Sequence, residues 1–134
     1  MFKQDLPIDE EVPTELTPLR EPTLFILLTL SKERKHGYAI LKDVEVLSEG
    51  RVVLSTGTLY GALARLLNQG VIRKSTDDRG EDNSGSKSRS GSVDIRKRKY
   101  YELTQFGYRV LAVEIKRMGT ILATASRELG MEGI

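Results

Sequence analysis

Ser55-Thr56-Gly57-Thr58-Leu59-Tyr60-Gly61-Ala62-Leu63-Ala64-Arg65-Leu66-Leu67 opens on a cluster of hydroxyl residues and runs to a stop at Gly70. Leu59, Ala62, Leu63, Leu66 and Leu67 recur at the spacing of one helix face. The hydroxyls suit the start of that helix, because a Ser or Thr oxygen accepts backbone N–H groups that the first turn leaves unpaired. Glycine suits its end. The result is an amphipathic helix with one face for a core and one polar face left over.

Upstream, Pro22 fits the first turn of a helix in which Leu24, Leu27 and Leu28 follow at helical spacing. Phe25, Ile26 and Leu30 make this segment apolar nearly all round, as a helix inside a core would be. Lys32 to Lys35 reads as a polar turn, and Gly37-Tyr38 opens a second helix with Tyr38, Leu41, Val44 and Leu47 as its apolar set. Val52-Val53-Leu54 is an extended link to the helix at Ser55. Downstream, Val71-Ile72-Arg73-Lys74 and Lys97 to Leu103 have the composition of two short strands. Asp77 to Ser92, between them, holds no apolar residue and is half Ser or Gly, so it has nothing to bury; a long mobile loop over about 77–95 is expected.

Thr104 is a good cap for a last helix reaching about Leu129. Tyr108, Leu111, Ile115, Met118, Leu122, Ala125 and Leu129 alternate steps of three and four, the pattern of a heptad seam. Phe106, Val110, Val113 and Ile121 form a second stripe. One stripe serves the chain's own core, and the other calls for a second copy; the alternative is that both serve one core.

The chain has 134 residues, the size of one ordinary domain, with no cysteine, no tryptophan and one histidine. Disulfide frameworks, zinc ribbons and thiolate catalysis are excluded. Leu24 to Leu30, the longest apolar stretch, is too short to span a bilayer. Net charge is +2, but Lys3 stands against Asp5, Asp9, Glu10, Glu11 and Glu15, so residues 1–15 carry −4 and residues 16–134 carry +6. An acidic, flexible arm over 1–15 ahead of a basic body over 16–103 and a helix over 104–130 is the expected organisation, with a polyanion as partner for the body.

Three helices followed by a two-stranded hairpin is the order of a winged helix-turn-helix, a mainly α fold with a small β-hairpin. In it the third helix enters the DNA major groove and the hairpin reaches the backbone or the minor groove. Arg96, Lys97, Arg98 and Lys99 give the return strand four consecutive cations, and Arg73 and Lys74 lie on the outgoing one. Such cations supply affinity and salt dependence without choosing a sequence. The plain alternative is a solvated charged face. Ser55, Thr56 and Thr58, at the start of the third helix, are candidates for reading base edges, with capping as their competing role. Arg65 lies further down the helix, in reach of a phosphate. His36 and Tyr38, before and within the second helix, are candidates for backbone contact, against local hydrogen bonding for the first and packing for the second. Lys35 is a candidate phosphate contact. Gly61, unusual inside a helix, suggests close approach of another backbone.

His36-Gly37-Tyr38-Ala39-Ile40, then Gly57-Thr58-Leu59-Tyr60-Gly61-Ala62-Leu63-Ala64-Arg65-Leu66, then Tyr100-Tyr101-Glu102-Leu103-Thr104-Gln105-Phe106-Gly107 occur in one order across residues 16–130. In these motifs the chain resembles the PadR family of bacterial transcriptional regulators. The resemblance implies a cytoplasmic homodimer held by the C-terminal helix on a pseudo-palindromic duplex operator, usually a repressor, often released by a small aromatic or amphipathic effector. It also implies a phosphate contact for Tyr60. The stretch Asp77 to Asp94 is longer than the family's usual wing, and the tryptophan on which some relatives stack planar drugs is missing.

Two other functions fit the same pattern. One is a protein-interaction module that keeps the winged fold and uses the heptad helix for recruitment, with DNA secondary. The other is a sensor holding an apolar ligand in a dimer groove lined by Tyr108, Leu111, Ile115 and Met118. An enzyme does not fit: no motif for a zinc protease, a nucleophile elbow or a dinucleotide fold occurs, no cofactor is called for, and Gly80 to Ser88 has one residue too many for a phosphate loop, with no strand before it.

Overall fold

A computed structural model describes residues 12–76 and 99–131. Most of the expected arm, all of the loop expected over 77–95, and Arg96, Lys97 and Arg98 lie outside the described residues. A short 3-10 turn, Thr14–Leu16, leads to α1, Glu21–Leu30, then β1, Lys35–His36, and α2, Gly37–Leu47. There follow α3, Thr56–Asn68, β2, Ile72–Thr76, β3, Lys99–Leu103, and α4, Gln105–Leu129.

The helix ends follow from local chemistry. Pro22 sits in the first turn of α1. Ser55 caps α3, its Oγ accepting from Thr58 N–H at 3.1 Å. Thr104 caps α4, its Oγ1 accepting from Gly107 N–H at 2.9 Å and lying 2.6 Å from the Gly70 carbonyl, so one hydroxyl joins the end of α3 to the start of α4. Gly130 ends α4 in the left-handed conformation, φ 66°, where an L side chain is strained.

The sheet is antiparallel in the order β1-β3-β2. It therefore has three strands where a two-stranded hairpin is expected, and the polar turn ends one residue early because Lys35 pairs with Tyr101 and His36 with Tyr100. A two-residue strand has no period to display; the free edge of β3 creates it. Ile72 pairs with Leu103 and Lys74 with Tyr101, which puts Ile72, Tyr101 and Leu103 on the inner face, all buried.

The core collects Ile26, Leu27 and Leu30 from α1, Ile40 and Val44 from α2, and Leu59, Leu63 and Leu66 from α3. Val110 and Leu111 of α4 complete it. The face of α3 is the one its spacing predicts. In α2 the face is rotated: Ile40 and Val44 are buried, Leu41 is half-buried, and Tyr38 and Leu47 are exposed. Tyr38 is thus a surface residue and its packing role is corrected. Val52 and Leu54 alternate inward about exposed Val53, and buried Ser48 holds this link by accepting the Val52 N–H at 2.9 Å.

In α4 two full-length stripes give way to two halves. Gly107, Val110, Leu111 and Glu114 are buried, and Tyr108 donates from its hydroxyl to the Ser31 carbonyl at 3.1 Å. The Glu114 carboxylate accepts the Leu19 N–H at 3.0 Å and two N–H groups of Arg117 at 2.8 Å. From Ile115 onward the apolar residues Ile115, Met118, Ile121, Leu122 and Leu129 are exposed. Tyr108 and Leu111, expected in a seam between copies, are packed inside their own chain.

Candidate nucleic-acid interface

The first turn of α3 is built around Ser55. Its Oγ accepts from the Thr58 backbone and lies 3.0 Å from Thr58 Oγ1, so the Ser55 hydroxyl is occupied by capping. Thr56 and Thr58 are exposed on the same turn. Beyond them Gly57 and Gly61 have open space where a Cβ would stand, so nothing in the chain approaches Gly61 and the close approach suggested for it is absent among the described residues. The outward surface of α3 is flat there, with bare backbone.

Tyr60 leaves this turn toward α2. Its phenol lies against Gly37 so closely that a Cβ at Gly37 would collide with the ring and hydroxyl, which is the physical need for glycine in His36-Gly37-Tyr38. Tyr60 remains about half exposed. Tyr101, buried in the sheet, has its hydroxyl pKa raised by burial and then by the neighbouring Tyr60 phenol. Next to Gly37, His36 sets its ring 5.9 Å from that of Tyr100. Arg34 lies over the other side of this group, its guanidinium carbon 4.5 Å from the Tyr100 centroid. Tyr38 projects into solvent with Lys42 Nζ 5.7 Å from its ring. Lys99 is exposed at the start of β3.

These residues form one edge, from Thr56 and Thr58 through Tyr60, Gly37 and His36 to Tyr100. Two cations lie by aromatic rings beside it, Arg34 at Tyr100 and Lys42 at Tyr38, and its hydroxyls and N–H donors can meet phosphate oxygens.

Two expected members do not join it. Lys35 Nζ donates to the Thr29 carbonyl at 2.9 Å and lies 3.4 Å from Asp43, with its side chain 12% exposed. Asp43 in turn accepts from the Thr29 hydroxyl at 3.1 Å. A cation so engaged ties α1 to α2, and its assignment as a phosphate contact is corrected. Arg65 stands near the other end of α3, about 13 Å along the axis from Thr56. There it lines a cavity of about 250 Å³ with Arg20, Glu15 and Gln69 over an apolar floor that includes Leu27 and Val110. On the outgoing strand, Arg73 is paired with Glu102 at 2.8 Å.

Arg34 and Lys42 are absent from the expected set. Lys42 follows Tyr38 by one helical turn, and Arg34 lies far from Tyr100 along the chain, so that only the pairing of β1 with β3 brings the two together. Among the described residues, no group of three or more His, Asp or Glu is placed to hold a metal ion, and no helix is long and apolar enough to cross a membrane.

Residues 26–87 match the family described as "Transcriptional regulator PadR-like family". Over these residues the chain is similar to that family. Among solved structures, a PadR family transcription regulator from Clostridium difficile R20291 is 24% identical, with 82% of this chain and 99% of that one covered and a TM-score of 0.59. A PadR-like transcription factor from Bacteroides fragilis is 26% identical over 80% of this chain and 87% of that one, TM-score 0.56. A PadR family regulator from Eggerthella lenta is 28% identical over 85% and 87%, TM-score 0.51. No protein of curated function matches the chain in sequence. These likenesses reach past the PadR-like match into β3 and α4, because they cover four fifths of the chain or more. The fold is a winged helix, mainly helical with a small sheet, and the family is one of transcriptional regulators.

Proposed function

We propose that this PadR-like protein is a sequence-specific DNA-binding regulator acting in the cytoplasm as a homodimer, and that it represses by occupying a pseudo-palindromic operator. The observation that carries this is the run of contacts from the first turn of α3 to the sheet: Thr56 and Thr58 exposed, Tyr60 against Gly37, His36 by Tyr100, and Arg34 over Tyr100. Thr56 and Thr58 read base edges, and Tyr60, His36, Tyr38 and Lys99 contact the backbone, with Arg96, Lys97 and Arg98, outside the described residues, as further phosphate contacts. Residues 16–103 and the packed half of α4 form the reading head.

The exposed half of α4 supports the dimer. Ile115, Met118, Ile121, Leu122 and Leu129 present apolar surface over about four turns, and a second copy that covers it gains about 25 cal/mol per Å² removed from water. Ala125 lies within the same run, exposed. Two reading heads related by a two-fold axis address half-sites about 34 Å apart. A small aromatic or amphipathic effector releases the operator if it prefers one head spacing, which thermal shift against a panel of such compounds would register.

The test is binding to a duplex from upstream of the protein's own gene, beside an unrelated duplex, across a salt series. With about four phosphate contacts per subunit, log affinity falls with log salt at a slope of about −7. A flat salt response overturns DNA binding. Equal affinity for every duplex transfers the function to recruitment of other proteins by α4.

A further inference from the structure

Arg34 precedes β1, and its Nη1 donates to Ser75 Oγ at 3.2 Å while the guanidinium stacks over Tyr100. Ser75 and Tyr100 are cross-strand partners, so both side chains leave the sheet on one face; His36, paired with Tyr100 from β1, shares that face. It is the outer face, opposite buried Ile72, Tyr101 and Leu103. The acid there, Glu102, accepts from Arg73. Arg34 is exposed and, among the described ion pairs, has no carboxylate.

A guanidinium presents five N–H donors in a planar fork, and stacking on an aromatic ring fixes that plane without using the donors. Ser75 takes one. The others belong to an exposed side chain whose freedom is already restricted by Ser75 and Tyr100, so less entropy is lost when an anion arrives. Tyr100 touches His36, His36 precedes Gly37, and Gly37 lies under Tyr60, so Arg34 stands at the far end of the same edge that begins at α3. The anion able to meet both ends is an extended polyphosphate backbone.

We infer that Arg34 is a phosphate-binding residue, held ready by Tyr100 and Ser75, that grips the DNA backbone beside the wing while the first turn of α3 meets the groove. The assignment rests on the DNA-binding function proposed above. It makes the outer face of the sheet part of the interface, beyond Lys99 at the start of β3.

The experiment compares the full chain with Arg34→Gln and Arg34→Lys on the upstream duplex and an unrelated one, with salt series and thermal unfolding. Arg34→Gln weakens both duplexes by a similar factor, on the order of tenfold at low salt, and makes the salt slope shallower by about one per subunit bound. Its unfolding midpoint stays with the parent's. Arg34→Lys keeps the charge and loses the fork, so its affinity is intermediate. Unchanged affinity and slope in Arg34→Gln, with the parent binding normally, overturn the assignment alone. A loss confined to the upstream duplex at unchanged slope also overturns it, by making Arg34 a base reader. A parent with a flat salt response removes the DNA-binding function first and the assignment with it.

Discussion

Gly107 shows how one missing Cβ sets the geometry of the domain. A methyl group there would run into the Val71 carbonyl oxygen and press on Leu103, so α4 meets the end of the sheet only through glycine. Gly107→Ala is expected to destabilise by about 1–3 kcal/mol, since the obstacle is backbone and cannot turn aside, and chemical denaturation measures the loss. Gly37 is the instructive contrast. There the obstacle is the far end of the Tyr60 side chain, which can swing away. Gly37→Ala therefore leaves stability near the parent's and lowers affinity for any duplex, a combination read by unfolding and binding on the same preparation. Lys35 behaves in the opposite sense: its ammonium is satisfied by Thr29 and Asp43, so Lys35→Met lowers the unfolding midpoint while the salt slope of binding stays unchanged. Counting Lys35 as a surface cation misses this because its partners come from two helices.

At the scale of elements, α4 does two jobs along its length rather than on two faces. Its first turns carry buried side chains, and Glu114 at their end is a buried carboxylate that accepts three N–H groups. The Arg117 hydrogen bonds lower its pKa, burial opposes them, and the Leu19 N–H lowers it again; the net direction is down. A carboxyl whose folded pKa lies below its unfolded value of about 4.3 contributes stability at neutral pH and loses it as pH falls through the folded value. Glu114→Gln is accordingly less stable than the parent at pH 7, by several degrees in unfolding midpoint. The gap between the two narrows as pH falls below the ordinary carboxylate range and closes once Glu114 is itself protonated in the folded state. A gap that is constant with pH would show that the carboxylate's charge contributes nothing. The heptad pattern of α4 is legible in the sequence, but periodicity along one helix carries no information about where its neighbour stops. The core of this domain ends at Glu114, and that is a tertiary fact.

At the scale of the molecule, an apolar half-helix on the surface makes assembly the natural next level. Leu122→Glu, in the middle of the exposed half, places a charge where a second copy would bury it. If the proposed homodimer forms through this surface, the substitution shifts sedimentation from dimer to monomer and weakens binding to a two-half-site duplex by about tenfold or more, while thermal unfolding of the monomer stays cooperative. A variant that remains dimeric would place the subunit contact elsewhere.

What the chain alone determined is local and periodic. The apolar build of α1, the face of α3, the hydroxyl cluster that caps it, the cap at Thr104 and the order of the helices and the last two strands all rest on residues within a few positions of one another, where propensity and side-chain chemistry act directly. These sufficed for a winged helix and for Thr56, Thr58 and Tyr60 as exposed residues at the start of α3. Tertiary structure decided the rest. A two-residue β1 exists because β3 offers a free edge; Tyr38 faces water because α2 packs through Ile40 and Val44; Lys35 is consumed and Arg34 displayed because adjacent residues of extended chain point to opposite faces. In each case the deciding partner lies far off in the chain, and no spacing within a segment encodes which side chain a distant strand or helix will meet.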